Sequence, residues 1–244
     1  MQFRLRRPRL NNLSFQRIIR RGGNVGKPSK TALFAAARAW DWQTVTALLA
    51  EAPALIDASD PQGHTALHRA CAVKPGSNTG LCESNGLKTM SVLLDAGADL
   101  ERAVPMDEDE GDFRATPLWY AVARGENLPL VEFLLRQGAN PSYSLWAVVW
   151  RDDAVFCRAL LKSKPELNLK AHDETPLFYA ARLKRLATLA LLIDAGADPA
   201  IVDAKGRSSI DIARARKLPA AIIEKLVSQQ HALHGGRRKS PPSN

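Results

Sequence analysis

Long apolar runs are missing from this chain. Stretches such as Ala32 to Ala37 and Leu145 to Trp150 fall far short of the roughly 20 residues needed to cross a bilayer, so no transmembrane helix is expected. The Arg-rich start is not followed by an apolar segment of about 7 to 15 residues or a small-residue cleavage site, which argues against a secretory leader. Cysteine is scarce as well. Cys71, Cys82 and Cys157 are odd in number and contain no close pair, so neither a disulfide framework nor a four-ligand zinc site is expected. A reducing, cytoplasmic setting fits that usage, with delivery into a host cell or import into an organelle left open.

Acidic residues are absent from positions 1–30, which carry nine basic side chains: Arg4, Arg6, Arg7, Arg9, Arg17, Arg20, Arg21, Lys27 and Lys30. The last 14 residues add Arg237, Arg238 and Lys239. Taking these nine and three from the net charge of +9 leaves −3 for residues 31–230, so the basic character belongs to the ends. Chemistry-bearing motifs are also lacking. No Gly-rich phosphate loop, Ser-His-Asp arrangement or ligand cluster can be assembled, so neither catalysis nor a cofactor is expected. His64 and His68 have the i, i+4 spacing of a ligand pair, but His64 precedes the expected helix start, so no metal site is assigned. Cys71 falls on an alanine-rich helix and reads as buried rather than nucleophilic.

What the chain does have is a repeat. Ser91-Val-Leu-Leu-Asp-Ala-Gly-Ala-Asp99, Glu132-Phe-Leu-Leu-Arg-Gln-Gly-Ala-Asn140 and Ala190-Leu-Leu-Ile-Asp-Ala-Gly-Ala-Asp198 are near-copies of one helix end and turn. Between them lie helix starts of one kind: Lys30-Thr-Ala-Leu-Phe-Ala-Ala, His64-Thr-Ala-Leu-His-Arg-Ala, Ala115-Thr-Pro-Leu-Trp-Tyr-Ala, Glu174-Thr-Pro-Leu-Phe-Tyr-Ala and Arg207-Ser-Ser-Ile-Asp-Ile-Ala. Their apolar third positions, with Leu145 as a degenerate member, stand at 33, 67, 118, 145, 177 and 210, spaced by 34, 51, 27, 32 and 33 residues. A period near 33 is that of a two-helix unit with a connecting hairpin. The long interval holds two insertions, Lys74 to Gly86 between paired helices and Val104 to Asp112 in the hairpin. The short interval lacks most of a hairpin after Gly138-Ala-Asn-Pro141.

Physical chemistry accounts for these signals. Thr31, Thr65, Thr116, Thr175 and Ser208 are placed to accept from a free amide of the first helical turn, and Pro117 and Pro176 sit where a missing amide costs nothing. Gly97, Gly138 and Gly196 supply the left-handed residue that ends a helix, and Pro141 and Pro199 stop its continuation. One unit buries too little apolar surface to fold alone, so stacking must supply the core.

These residues resemble the ankyrin repeat, a Thr-Pro-Leu-His-x-Ala helix start, a second helix and a Gly-Ala-Asp turn. The resemblance implies an all-α solenoid of about six units, near 31–63, 64–113, 114–142, 143–172, 173–206 and 207–230. It places tails at 1–30 and 231–244, short β-hairpin loops, and no hairpin before the fourth unit. Only His68 keeps the motif's histidine; Phe34, Trp119, Trp146, Phe178 and Asp211 replace it elsewhere. The function implied is a protein-binding scaffold, adaptor or inhibitor, acting through loop tips and the concave face of the inner helices.

That resemblance nominates Arg38, Arg124, Arg151, Arg182 and Arg216 as a basic stripe for an acidic or phosphate-bearing partner, since Arg makes two-pronged contacts with both. Helix-end solvation is the plainer reading of the same arginines. Tyr120, Tyr179, Arg69 and Trp150 join them as contact residues, while Trp119 and Trp146 are assigned to the core. Asp107, Glu108, Asp109, Glu110 and Asp112 form an acidic loop, either solvated or docked by the basic N-terminal segment. Through that segment, nucleic acid or an anionic membrane is the alternative partner. No small-molecule substrate is expected.

Overall fold

The computed structural model describes residues 27–76, 80–105 and 114–234. The acidic loop Asp107–Asp112, the arginines before Lys27, and Arg237, Arg238 and Lys239 lie outside the described residues. Among those described, six helix pairs follow one another. They are α1 (Lys30–Arg38) with α2 (Trp42–Glu51), α3 (Ala66–Cys71) with α4 (Glu83–Asp95), and α5 (Pro117–Tyr120) with α6 (Leu128–Arg136). Then come α7 (Ser144–Arg151) with α8 (Ala154–Lys162), α9 (Pro176–Leu183) with α10 (Leu186–Asp194), and α11 (Ser209–Ala215) with α12 (Ala220–His234). The first helix of each pair packs on the first helix of the next pair, and the second on the second, which makes two parallel layers. The fold is all-α.

Helix starts follow the expected capping chemistry in most units. Thr116 accepts from Trp119 N at 3.3 Å, Thr175 from Phe178 N at 3.2 Å and Ser208 from Asp211 N at 3.2 Å. At the first unit the expectation fails. Ser29, not Thr31, is the cap, accepting from Ala32 N at 3.2 Å, so α1 begins at Lys30. The other end also differs: α12 continues to His234, past the expected boundary at 230, because no Gly or Pro interrupts residues 220–234. Part of the first insertion is helix too, since Glu83 to Gly86 form the first turn of α4.

Connections between units are short hairpins. Ser59 bridges Thr65, Ala171 bridges Glu174 and Val202 bridges Ser208; before α5, strands β1 (Val104–Pro105) and β2 (Arg114–Ala115) pair antiparallel, Val104 opposite Ala115. Before α7 no bridge occurs among the described residues. Gly97, Gly138 and Gly196 have φ of +98°, +93° and +96°, the left-handed conformation that closes an outer helix without a Cβ penalty. In the fourth unit Lys164, at φ +53°, takes that place.

The core runs the length of the stack as one cluster, with Leu33, Leu67, Leu118, Leu145 and Leu177 from inner helices fully buried beside Leu48, Leu93, Leu134, Leu160 and Leu192 from outer ones. Each such side chain contributes about 1.5–3 kcal/mol of transfer free energy relative to exposure. Since these side chains form one cluster that spans successive units, the core belongs to the stack rather than to any single unit.

Candidate functional site

Five inner helices end in a residue that was not anticipated, a non-glycine in the left-handed conformation: Trp40 (φ +51°), Glu126 (+47°), Asp152 (+53°), Lys184 (+58°) and Lys217 (+56°). Each turns the chain from inner to outer helix. They also provide a ruler. Counted from the helix-start positions Thr31, Tyr143, Thr175 and Ser208, the left-handed residue comes nine positions later (40 − 31, 152 − 143, 184 − 175, 217 − 208). In the third unit it comes ten later (126 − 116). The extra residue is absorbed by a π-helical turn over Ala121–Gly125, the usual way a one-residue insertion is carried within a helix.

Measured this way, the five nominated arginines do not form one stripe. Arg38, Arg124 and Arg182 stand two residues before the left-handed position, whereas Arg151 and Arg216 stand one before it. Neighbouring residues point roughly 100° apart around a helix of 3.6 residues per turn, so the two sets occupy different registers. In the fourth unit the place shared with Arg38, Arg124 and Arg182 belongs to Trp150. This residue is 61% exposed, more than any other large hydrophobic among the described residues.

Ion pairs divide the same residues. Arg151 turns toward Glu126, 2.7 Å away, and lies 3.7 Å from Asp153. Arg182 grips Glu174 with Nε 2.7 Å and Nη2 2.9 Å from the two carboxylate oxygens, its guanidinium carbon 5.1 Å from the centre of the Tyr179 ring. Arg69 pairs with Asp60 in the first hairpin. Arg38, Arg124 and Arg216 are exposed and have no carboxylate partner among the described residues.

Four residues further from the helix start than the Thr column stand Ala35, Arg69, Tyr120, Ala147, Tyr179 and Ile212. This column lies three or four residues before the Arg38–Arg124–Trp150–Arg182 row, hence on the same helix face. Both tyrosines are half-buried and held. Tyr120 Oη lies 2.7 Å from His64 Nε2, and its ring meets Trp119 edge-on at 5.1 Å. Trp119 and Trp146 are buried, packed between units.

The histidines are occupied by structural duties. His64 Nδ1 is 3.1 Å from both oxygens of Asp60, and His68 Nδ1 accepts from Thr65 N at 3.2 Å, closing a capping box. Burial, then the neighbouring His64, pushes the His68 imidazole down to about 4, so it stays neutral at physiological pH. No group of three or more metal-ligating side chains occurs among the described residues. Burial raises the thiol of Cys71, which lies 3.7 Å from Met90 Sδ, and pushes Cys157 up to about 12; neither has the depressed pKa of a nucleophile.

Some contacts that join the units were missed entirely. Asp152 accepts from Thr188 N and Thr188 Oγ1, both at 2.9 Å, and so caps α10 from the preceding unit where Arg185 provides no cap of its own. Glu101 accepts from Asn140 N at 2.8 Å and Asn168 from Asp198 N at 2.9 Å. Each acceptor stands four residues after the left-handed close of an outer helix (Gly97, Lys164) and each donor two after the next close (Gly138, Gly196). An acceptor four residues past the Gly column was the available signal.

Comparison with known proteins agrees with this geometry. Residues 118–203 match the family model described as ankyrin repeats (3 copies). No curated protein is similar enough to count as a match. An ankyrin repeat domain from Acinetobacter baumannii is 25% identical with a TM-score of 0.63, the match covering 82% of this chain and 98% of that one. The structure of the predatory endopeptidase Bd0816 from Bdellovibrio bacteriovorus in complex with immunity protein Bd3460 contains a chain 25% identical, with a TM-score of 0.59 and coverage of 82% and 99%. The human ASB11 ankyrin repeat domain shares the fold at 22% identity, with a TM-score of 0.58 and coverage of 95% and 94%. Ankyrin repeats generally mediate interaction between proteins. Residues 118–203 thus match ankyrin repeats, and with the helix pairs on either side continuing the same two layers, the chain has the fold of the ankyrin-repeat structures it resembles.

Proposed function

We propose that this protein is a non-catalytic scaffold that binds one macromolecular partner through the outward side chains of its inner helices. The observation that supports this reading most directly is the row Arg38, Arg124, Trp150 and Arg182, in which a large indole is left in water beside guanidinium groups. Exposing an indole forgoes transfer free energy on the order of 2 kcal/mol, and contact with a partner recovers it. A stacked scaffold is also ordered before it binds, so association costs less conformational entropy on its side.

Affinity capture with the full chain from a lysate of its source organism tests the proposal. A discrete protein retained as salt is raised is the expected result. Recovery of nothing above background at any salt concentration would count against it.

A further inference from the structure

The fourth unit interrupts the inner-helix face in a way that selects a kind of partner. Along the column Tyr120, Ala147, Tyr179, a buried alanine stands between two half-buried tyrosines on adjacent helices, so the surface dips at α7. Both walls are braced, Tyr120 by His64 and Tyr179 by the Arg182 guanidinium over its ring. At one end of the dip lies Trp150, in line with Arg124 on one side and Arg182 on the other. Toward the other end the row of hairpins is broken: bridged turns precede α5 and α9, but none precedes α7 among the described residues. An extended chain can therefore cross α7 without meeting a hairpin.

Charge decides what kind of chain. Arg124 and Lys184, both exposed, have no carboxylate partner among the described residues, and they flank Trp150 at the inner-to-outer turns of the third and fifth units. The carboxylates nearby are engaged. Glu126 holds Lys74 and Arg151, Glu174 holds Arg182, and Asp152 caps α10. What remains open is cationic and aromatic.

Resting on the scaffold reading, we infer that this trough across α7 binds an extended acidic segment of another protein. One apolar side chain of that segment sits over Ala147 between the tyrosines and against Trp150, and its carboxylates meet Arg124 and Lys184. Bidentate pairing with Arg and contact with an exposed indole are both strong per residue, so a short segment suffices.

Random-peptide display panned against the full chain tests this, followed by titration of the selected peptide against variants. Enrichment of acidic peptides with an aromatic or aliphatic residue is expected. Trp150→Ala and Arg124→Glu should each weaken the selected peptide by about tenfold or more, with unchanged thermal melting, while Arg136→Glu on α6 leaves it unaffected. Enriched peptides that are not acidic, an acidic binder indifferent to both variants, or no binder at all would overturn the assignment. The two readings separate cleanly. If Trp150→Ala still captures whatever partner the natural chain retains from lysate, the trough falls and the scaffold stands.

Discussion

The seam between the second and third units and the seam between the fourth and fifth join the same kinds of helices by different means. At the first, the sequence strays from its period, and specific contacts hold the units in place. Gly125 lets the π-helical turn press against α3, where an added Cβ would lie 2.4 Å from Cys71 O; His64 reaches Tyr120, and Lys74 reaches Glu126 at 2.6 Å. At the second, Leu183 occupies the place of Gly125, small side chains (Ala180, Ala181) fill the interior, and one carboxylate, Asp152, crosses to cap a helix. Regular repeats need only generic packing. An inserted residue must be given its own accommodation, and that makes the irregular seam the more fragile.

Gly125→Ala should therefore have the largest effect. Its Cβ meets backbone rather than a flexible side-chain end, so the two units must separate, at about 3 kcal/mol or more. Leu183→Ala at the corresponding place, half-buried, should cost clearly less. Chemical denaturation of the two variants compares the seams directly, and equal losses would erase the distinction.

His68 sets a second contrast, one of pH. The folded protein holds this imidazole neutral down to about 4, against an ordinary 6.5, so its contribution is present above pH 6.5. As pH falls through that window the unfolded chain takes up a proton that the folded one refuses, and stability drops by about 3 kcal/mol by pH 4. His68→Gln, whatever its effect at neutral pH, should flatten the melting temperature between pH 6.5 and 4. An unchanged slope would show that His68 is not the group responsible.

The regular seam should respond more mildly. Asp152→Ala leaves the Ala187 and Thr188 amides at the start of α10 without their acceptor, while the Thr188 hydroxyl keeps Arg185 O at 3.3 Å, a capping loss of about 1 kcal/mol. Hydrogen exchange at Ala187 and Thr188 should quicken more than exchange in α3 or α5.

Much of this was legible beforehand, and the exceptions have physical reasons. Thr116, Thr175 and Ser208 announce helix starts because a hydroxyl three residues before a free amide has one obvious use, and Gly97, Gly138 and Gly196 announce helix ends because a residue without Cβ is cheap at positive φ. The inner-helix ends carry no such mark. Trp40, Glu126, Asp152, Lys184 and Lys217 adopt the same conformation with a Cβ in place, so no shared residue type announces it. Trp40 is the clearest case: buried at that turn, it donates from its indole to Ala70 O at 3.0 Å and lies against Gly86, whose Cβ would come within 3.0 Å of the ring. The glycine belongs to the first insertion, so the added turn of α4 and the tryptophan fit each other across 46 residues (86 − 40). The basic stripe was misread for a related reason. Counted from the helix start, Trp150 already stands level with Arg38 and Arg182 (150 − 143 = 182 − 175 = 38 − 31 = 7), and only Arg124, displaced by the π turn, needs the left-handed residues to show that it belongs to that row rather than to that of Arg151.

Glu126 tests the irregular seam at its finest, because it ties that seam to the fourth unit beyond it. Standing at the turn of the third unit, it binds Arg151 of the fourth at 2.7 Å and Lys74 of the second at 2.6 Å. Hydrogen bonds from Arg151, then from Lys74, hold its carboxyl down at about 2, below the ordinary 4.5. A depressed acid contributes above its unfolded pKa and loses that contribution as pH falls from 4.5 toward 2, a window below that of His68. Water reaches all three side chains, so screening limits the effect to under about 1 kcal/mol. Glu126→Gln should remove a small acid-side slope below pH 4.5 and leave the slope between 6.5 and 4.5 as it was. Salt should shrink the Glu126 contribution and spare that of buried His68, since mobile ions reach one group and not the other. Were both windows to respond to salt alike, the second and third units would be joined through solvated charge, and the irregular seam would owe less to its buried contacts than Gly125 suggests.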